Sequence, residues 1–245
     1  AGAAATAGAP YAVEPLTNGA PLGFGVVKGF DLRRALEDDG VAAQVAADMR
    51  AHRLLVFKGQ EGLTGAEHIA LSERFGSTDH GLHRPHPAAP HERLLRVSND
   101  EAQGFRSIGT SGWHVDGVMI KWPFSTQTMH FLEANAAGST LFLGFDELLA
   151  GVDAATRERW ERMWFVAGVG DDLMNGDGQF ALHPLVTSLG DGRRGMCMHL
   201  GPGYCLGMVQ ENPPARAAAQ EPEPAPEPQQ QEEEEEPKEA EKPKG

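Results

Sequence analysis

The stretch that decides the fold and the chemistry of this chain is Trp113-His114-Val115-Asp116-Gly117. On an extended segment, the side chains of residues i and i+2 point to the same side. An extended conformation would therefore place the imidazole of His114 beside the carboxylate of Asp116. Such a pair supplies two ligands of the facial triad that holds non-haem Fe(II) and leaves coordination positions open. The alternative is a His–Asp pair at a strand end without a metal, since the chain has 10 histidines.

The composition bounds the class of protein. The chain has 245 residues, of which 40% are hydrophobic and 23% charged, a balance typical of one substantial globular domain. No apolar run approaches the length of a membrane span, so no membrane segment is predicted. The net charge of -14, without a basic stripe, argues against a nucleic-acid partner. Cys197 and Cys205 lack metal-binding or redox spacing, which predicts a reducing, cytoplasmic location.

Three regions differ in composition. Residues 1–20 are Ala/Gly-rich and predict a flexible lead, whereas residues 21–211 carry the apolar patterns of a folded domain. Residues 212–245 are rich in Pro, Gln and Glu, with five consecutive glutamates from Glu232 to Glu236. Such a segment cannot bury enough apolar surface to offset its chain entropy, so it is predicted to be disordered.

Within the domain, the patterns predict both helices and strands. The apolar run at residues 54–57 predicts a buried strand, and Thr64-Gly65-Ala66-Glu67 is a capping box that opens a helix. The Thr-rich residues 124–134 and the apolar residues 140–143 predict two further strands. Gly190-Asp191-Gly192 predicts the turn of a hairpin.

A loop rich in histidine and proline follows the capped helix. Its many prolines argue against a strand, and the simplest interpretation of its histidines is that they are solvated. The four histidines of this loop are His80, His83, His86 and His91.

In this order, the segments resemble the taurine dioxygenase-like (TauD/TfdA) family of Fe(II)- and 2-oxoglutarate-dependent oxygenases. The resemblance covers residues 21–203. It is carried by the strand at 54–60, by Arg74-Phe75-Gly76, Trp113-His114-Val115-Asp116, Gly138-Ser139-Thr140-Leu141-Phe142, His183-Pro184-Leu185-Val186 and Gly192-Arg193. It implies a mixed α/β fold, a double-stranded β-helix (jelly roll) with flanking helices, incomplete at its C-terminal strands.

The resemblance also implies roles for individual residues. His114 and Asp116 match the metal ligands, and Thr140 matches a threonine that helps hold the carboxylate of 2-oxoglutarate. For Thr140 the alternative is a strand residue present for its β-propensity. His86 matches the loop position of a histidine that contacts substrate.

The chain departs from the family at the third ligand. The family supplies a further His, and then an Arg for the distal carboxylate of 2-oxoglutarate, from late strands, whereas this chain enters its Pro/Glu segment there. His183 matches a family position that is not a ligand. His199 is left as the candidate for the third ligand, with a structural role as the alternative.

The function implied by the resemblance is that of an oxidoreductase. It is an Fe(II)- and 2-oxoglutarate-dependent dioxygenase that hydroxylates a small organic substrate, impaired by loss of the third ligand. One alternative is a non-catalytic, degenerate domain that acts as a binding or interaction module. Another is a different metal-dependent enzyme completed by His199. Missing late strands would leave open sheet edges, which predicts a homo-oligomer.

Overall fold

The computed structural model of the chain describes residues 9–16, 23–79, 84–106, 112–134, 139–168, 180–190 and 192–211. By its internal contacts the chain divides into two units, Ala1–Glu211 and Asn212–Gly245, and the second lies wholly outside the described residues. The disorder expected for residues 212–245 therefore stays a prediction. His80 and His83 also lie outside the described residues.

The described residues form five helices and eight strands, a mixed α/β arrangement with small sheets. In chain order these are β1 (Glu14–Pro15), β2 (Gly25–Val27), α1 (Arg34–Glu37), α2 (Asp39–His52), β3 (Leu55–Phe57), α3 (Gly65–Glu73), α4 (Phe145–Gly151), α5 (Ala154–Glu161), β4 (Met163–Gly168), β5 (Phe180–Pro184), β6 (Val186–Ser188), β7 (Arg194–Met196) and β8 (Cys205–Gln210). None of the helices in this part of the chain has the length and apolar character that crossing a membrane requires.

The first sheet has the order β1-β2-β3, and β1 lies within residues 1–20, so part of the predicted flexible lead belongs to a sheet. β1 pairs antiparallel to β2 and β3 pairs parallel to it, so the chain between β2 and β3 must cross over, which it does through α1 and α2. Asp38 separates the two helices because its backbone is extended, with φ -126° and ψ 112°. Its carboxylate accepts hydrogen bonds from the N–H groups of Gly40 and Val41, and so caps α2.

The predicted capping box at the start of α3 is confirmed. The Thr64 hydroxyl accepts the N–H of Glu67, and the Glu67 carboxylate accepts the N–H of Thr64 at 2.8 Å. α3 then packs on α1, α2 and β2 around one apolar cluster. The buried members of this cluster are Val27, Phe30, Ala35, Val41, Ala42 and Leu71.

The second half contains an antiparallel sheet of order β5-β4-β8 and a separate hairpin of β6 and β7. The hairpin predicted around residues 190–192 is confirmed by the antiparallel pairing of β6 with β7, which the N–H of Leu189 extends by donating to the carbonyl of Arg193 at 3.0 Å. Gly190 and Gly192 have φ values of 97° and 84°, in the left-handed region that favours glycine. The described strands form no closed barrel.

Two predicted strands are wrong. Residues 124–134 join no sheet, and the side chains of Thr128 and His130 bind groups of the N-terminal half. Residues 140–143 are irregular and lead into α4, and the Leu141 side chain is 71% exposed. Hydrophobicity and β-propensity were sufficient to predict strands there, but no neighbouring strand among the described residues pairs with them.

Candidate metal centre

The segment that carries His114 and Asp116 runs antiparallel to the chain around His199. The N–H of Val115 donates to the carbonyl of Met198 at 2.9 Å, and the N–H of Leu200 donates to the carbonyl of Trp113 at 3.0 Å. Val115 packs inward against the buried cluster of Val118, Phe165 and Ala167. Because neighbouring side chains of an extended segment alternate in direction, His114 and Asp116 face together to the other side.

The side chains of the two predicted ligands, His114 and Asp116, are in contact. Nε2 of His114 lies 3.2 Å from Oδ1 of Asp116, with side chains 25% and 39% exposed. Nδ1 of His114 lies 2.7 Å from the carbonyl oxygen of Gly112 and donates its proton there. Gly112 has φ of 81°, a conformation that L side chains rarely adopt, which lets its carbonyl turn back toward the ring. This bond occupies Nδ1, so Nε2, which donates to Asp116 when no metal is bound, is the nitrogen that would bind a metal after losing its proton.

The carboxylate of Asp116 is held from both sides. Oδ1 faces His114, and Nε2 of Gln127 donates to Oδ2 at 2.5 Å. Hydrogen bonding to His114 is the main cause that lowers the pKa of Asp116, with a further contribution from Gln127, although burial opposes it. The same contact with Asp116 raises the pKa of His114, and the bond to Gly112 adds to that. Asp116 is therefore ionised at neutral pH, as a metal ligand must be.

His199 lies beside this pair, but in an orientation that does not complete it. Its ring stacks on that of His114 with centroids 4.7 Å apart, and on that of Tyr204 with centroids 3.9 Å apart. Its Nδ1 accepts the N–H of Gly201 at 3.0 Å, which places the proton of the neutral ring on Nε2. In this arrangement Nδ1 of His199 is occupied by a backbone N–H.

The distance between Nε2 of His114 and Oδ1 of Asp116 can be compared with the separation of two ligand atoms on one metal ion. Two ligand atoms each about 2.1 Å from a metal, at a right angle, lie about 3.0 Å apart. The 3.2 Å between Nε2 of His114 and Oδ1 of Asp116 matches two adjacent positions of an octahedral site. Among the described residues, no group of three or more His, Cys, Asp or Glu side chains is arranged to hold a metal. The fit therefore covers two of the three ligands of a facial triad.

The other two predicted site residues are Thr140 and His86. Thr140 is exposed in the irregular segment before α4. Nε2 of His86 lies 3.1 Å from the carbonyl oxygen of Glu101, where its ring meets that of Phe105 edge-on.

Sequence reasoning missed Gln127 and Tyr204. Gln127 holds the carboxylate of Asp116, and Tyr204 covers the outer face of the His199 ring. No local pattern marks either residue, because both reach the site only through tertiary contacts. His183, expected to be structural, is buried, with Nε2 2.7 Å from the carbonyl oxygen of Val118.

Comparison with known proteins finds a matching family model and similar solved structures. A family model described as "Taurine catabolism dioxygenase TauD, TfdA family" matches residues 12–230. A taurine dioxygenase from Burkholderia xenovorans is 20% identical, with a TM-score of 0.50, over 83% of this chain and 67% of that one. A putative alpha-ketoglutarate-dependent taurine dioxygenase from the same organism is 18% identical, with the same TM-score and coverage.

A further solved structure, of AAD-2 in complex with Mn(II) and N-oxalylglycine, is 18% identical over 80% of this chain and 72% of that one. Its TM-score is 0.49. At identities this low, the likeness to solved structures concerns the fold alone, whereas the family model matches most of the chain.

Proposed function

This chain belongs to the taurine catabolism dioxygenase TauD, TfdA family, and from that premise we propose that it hydroxylates a small organic substrate at an Fe(II) held by His114 and Asp116. The family is one of 2-oxoglutarate-dependent dioxygenases, oxidoreductases that use Fe(II) and 2-oxoglutarate. Family membership supports an enzyme over a non-catalytic interaction module.

The observation that carries the proposal is the approach of Nε2 of His114 to Oδ1 of Asp116, at 3.2 Å. The bond from Nδ1 of His114 to Gly112 occupies that nitrogen, so Nε2 would bind a metal once its proton is lost. When bound, Fe(II) and 2-oxoglutarate supply the oxidation, in which O2 converts 2-oxoglutarate to succinate and carbon dioxide while a substrate C–H is hydroxylated. The chain's own share is to hold the ligand atoms, orient the reactants and exclude side reactions.

Two more assignments rest on the resemblance. We assign Thr140 to the carboxylate of 2-oxoglutarate and His86 to substrate. For the fold, we propose the family's double-stranded β-helix, which the likeness to the taurine dioxygenase structures supports. We also propose that the enzyme works in a reducing, cytoplasmic location on small molecules rather than nucleic acid, in keeping with its net charge of -14.

The number of side-chain metal ligands affects the expected rate of 2-oxoglutarate turnover. Among the described residues, His114 and Asp116 supply two ligands, and Nδ1 of His199 accepts the N–H of Gly201. We therefore propose that turnover of 2-oxoglutarate is slow for this chain. Iron without its third side-chain ligand is held less firmly in the geometry that the facial triad provides.

Succinate formation tests the proposal. The assay contains Fe(II), ascorbate and 2-oxoglutarate with a panel of small organic acids, and compares the wild-type chain with Asp116→Ala and His52→Ala. His52 is a matched control because its Nδ1 also lies close to a backbone carbonyl, that of Gly23, at 2.6 Å. We expect wild type and His52→Ala to form succinate well below about one turnover per second, and Asp116→Ala to form none.

Two outcomes would contradict parts of this account. Equal succinate formation in wild type and Asp116→Ala would remove Asp116 from the metal site. Turnover near about one per second in the wild-type chain would show that a third ligand completes the site.

A further inference from the structure

The two oxygens of the Asp116 carboxylate have different partners. Oδ1 lies 3.2 Å from Nε2 of His114, on the side where a metal would bind. Oδ2 accepts the amide N–H of Gln127 at 2.5 Å. A carboxylate free to rotate can offer one oxygen or both to a metal, so the group that occupies Oδ2 decides which arrangement is available.

The backbone that carries Gln127 is fixed on its other side. Thr128 Oγ1 lies 2.9 Å from Nε2 of His68 and 2.7 Å from Oγ of Ser72, both on α3. Two residues further on, Nε2 of His130 lies 3.0 Å from the carbonyl oxygen of Gln60. The segment is thus anchored to the N-terminal half through residues 128 and 130.

Half-buried and exposed side chains alternate along residues 127–130. Thr128 and His130 are half-buried, whereas Gln127 and Met129 are exposed. The anchored side chains and the side chain of Gln127 therefore lie on different sides of the segment. Gln127 reaches Asp116 from a backbone whose position is set by α3, a helix whose start is fixed by its capping box.

We propose that Gln127 is a positioning residue that restricts Asp116 to binding a metal through Oδ1 alone. This inference rests on the metal site of the proposed function. With Oδ2 held by Gln127, the carboxylate would meet a metal in a single orientation, through Oδ1. A partner that orients a metal-binding carboxylate also contributes to metal affinity. Loss of such a partner typically lowers the metal affinity about 10- to 100-fold.

The test uses Co(II) alone as the probe, added to the full chain. Its visible absorption reports coordination number, which a purely structural role for Gln127 would not change. The variants are Gln127→Met, which keeps the side-chain length but removes the donor, and Gln127→Ala. Gln103→Met is the matched control, because Gln103 is an exposed glutamine whose side chain contacts Arg96 instead of Asp116. His114→Ala reports on the metal site itself.

We expect both Gln127 variants to bind Co(II) about 10- to 100-fold more weakly, with a changed absorption spectrum and a nearly unchanged melting temperature. Gln103→Met should match the wild type in all three measurements. If His114→Ala loses Co(II) binding while both Gln127 variants keep the wild-type Kd and spectrum, the role of Gln127 is overturned and the site stands. If His114→Ala also binds Co(II) as the wild type does, the proposed metal site fails, and the role of Gln127 with it.

Discussion

Nε2 of His114 and Oδ1 of Asp116 lie 3.2 Å apart, at the separation expected of two neighbouring ligands on one metal ion. A chance ion pair at a strand end would show the same distance. The orientation of the His114 ring is also defined, because Nδ1 is hydrogen-bonded to the carbonyl of Gly112 and only Nε2 faces the carboxylate. Predictions about the residues around this pair can separate the two interpretations.

His199 is predicted to support the site without binding metal. His199→Phe keeps an aromatic ring between His114 and Tyr204 but removes both nitrogens. We expect its Kd for Co(II) to stay within about threefold of the wild type, a change below 1 kcal/mol. Its free energy of unfolding should fall by about 1–3 kcal/mol, because the buried N–H of Gly201 loses its acceptor. Loss of Co(II) binding in a folded His199→Phe chain would instead identify His199 as the third ligand.

The contact between α3 and residues 128–130 is predicted to make stability depend on pH. Burial, and then the charge of His130, lower the pKa of His68 from its ordinary value of 6.5. The unfolded chain therefore binds this proton more readily, and the stability from a neutral His68 is present above pH 6.5 and is lost as the pH falls below it. Urea unfolding of wild type and His68→Gln between about pH 7.5 and 5.5 measures this difference. Equal acid sensitivity in the two proteins would contradict the assignment.

The outer strands of the second sheet are predicted to promote self-association. β8 pairs only with β4 in the described part of the chain, and Leu206 on β8 is 61% exposed. An open edge with apolar side chains can pair with another copy, and a lysine there opposes such pairing. We expect Leu206→Lys to shift sedimentation toward the monomer. Leu141→Lys is the control, since Leu141 is 71% exposed but lies in no strand.

If the wild-type chain is already monomeric at tens of micromolar, or if both lysine variants reduce association equally, the edge of β8 is not the interface. The melting temperature of each variant should be measured as well, because Leu206 lies against the Cα of Gly168 on β4.

The parts of this site that could be predicted from the sequence are local ones. His114 and Asp116 share a face because they are two residues apart on an extended segment, which needs no tertiary information. The capping box at Thr64 and the turn at residues 190–192 follow from residue types at fixed spacing in the same way.

The remaining features of the fold and the site depend on tertiary contacts, which local sequence patterns do not reveal. Residues 124–134 have the composition of a strand, yet Thr128 and His130 use their side chains to bind the N-terminal half, and Gln127 binds Asp116. β8 gave no strand signal, because its exposed side chains do not alternate and its pairing with β4 is a long-range choice. The orientation of His199 likewise depends on Tyr204 and Gly201, which no spacing rule connects to His114.

The most direct test of the central claim is an anaerobic titration of the full chain with Fe(II) in the presence and absence of 2-oxoglutarate. Chelation of 2-oxoglutarate by protein-bound Fe(II) produces a metal-to-ligand charge-transfer band in the visible spectrum. We predict that this band appears for the wild type and for His52→Ala, and that it is missing for His114→Ala. An equally strong band in His114→Ala, at the same Fe(II) affinity, would contradict the assignment of His114 as a metal ligand.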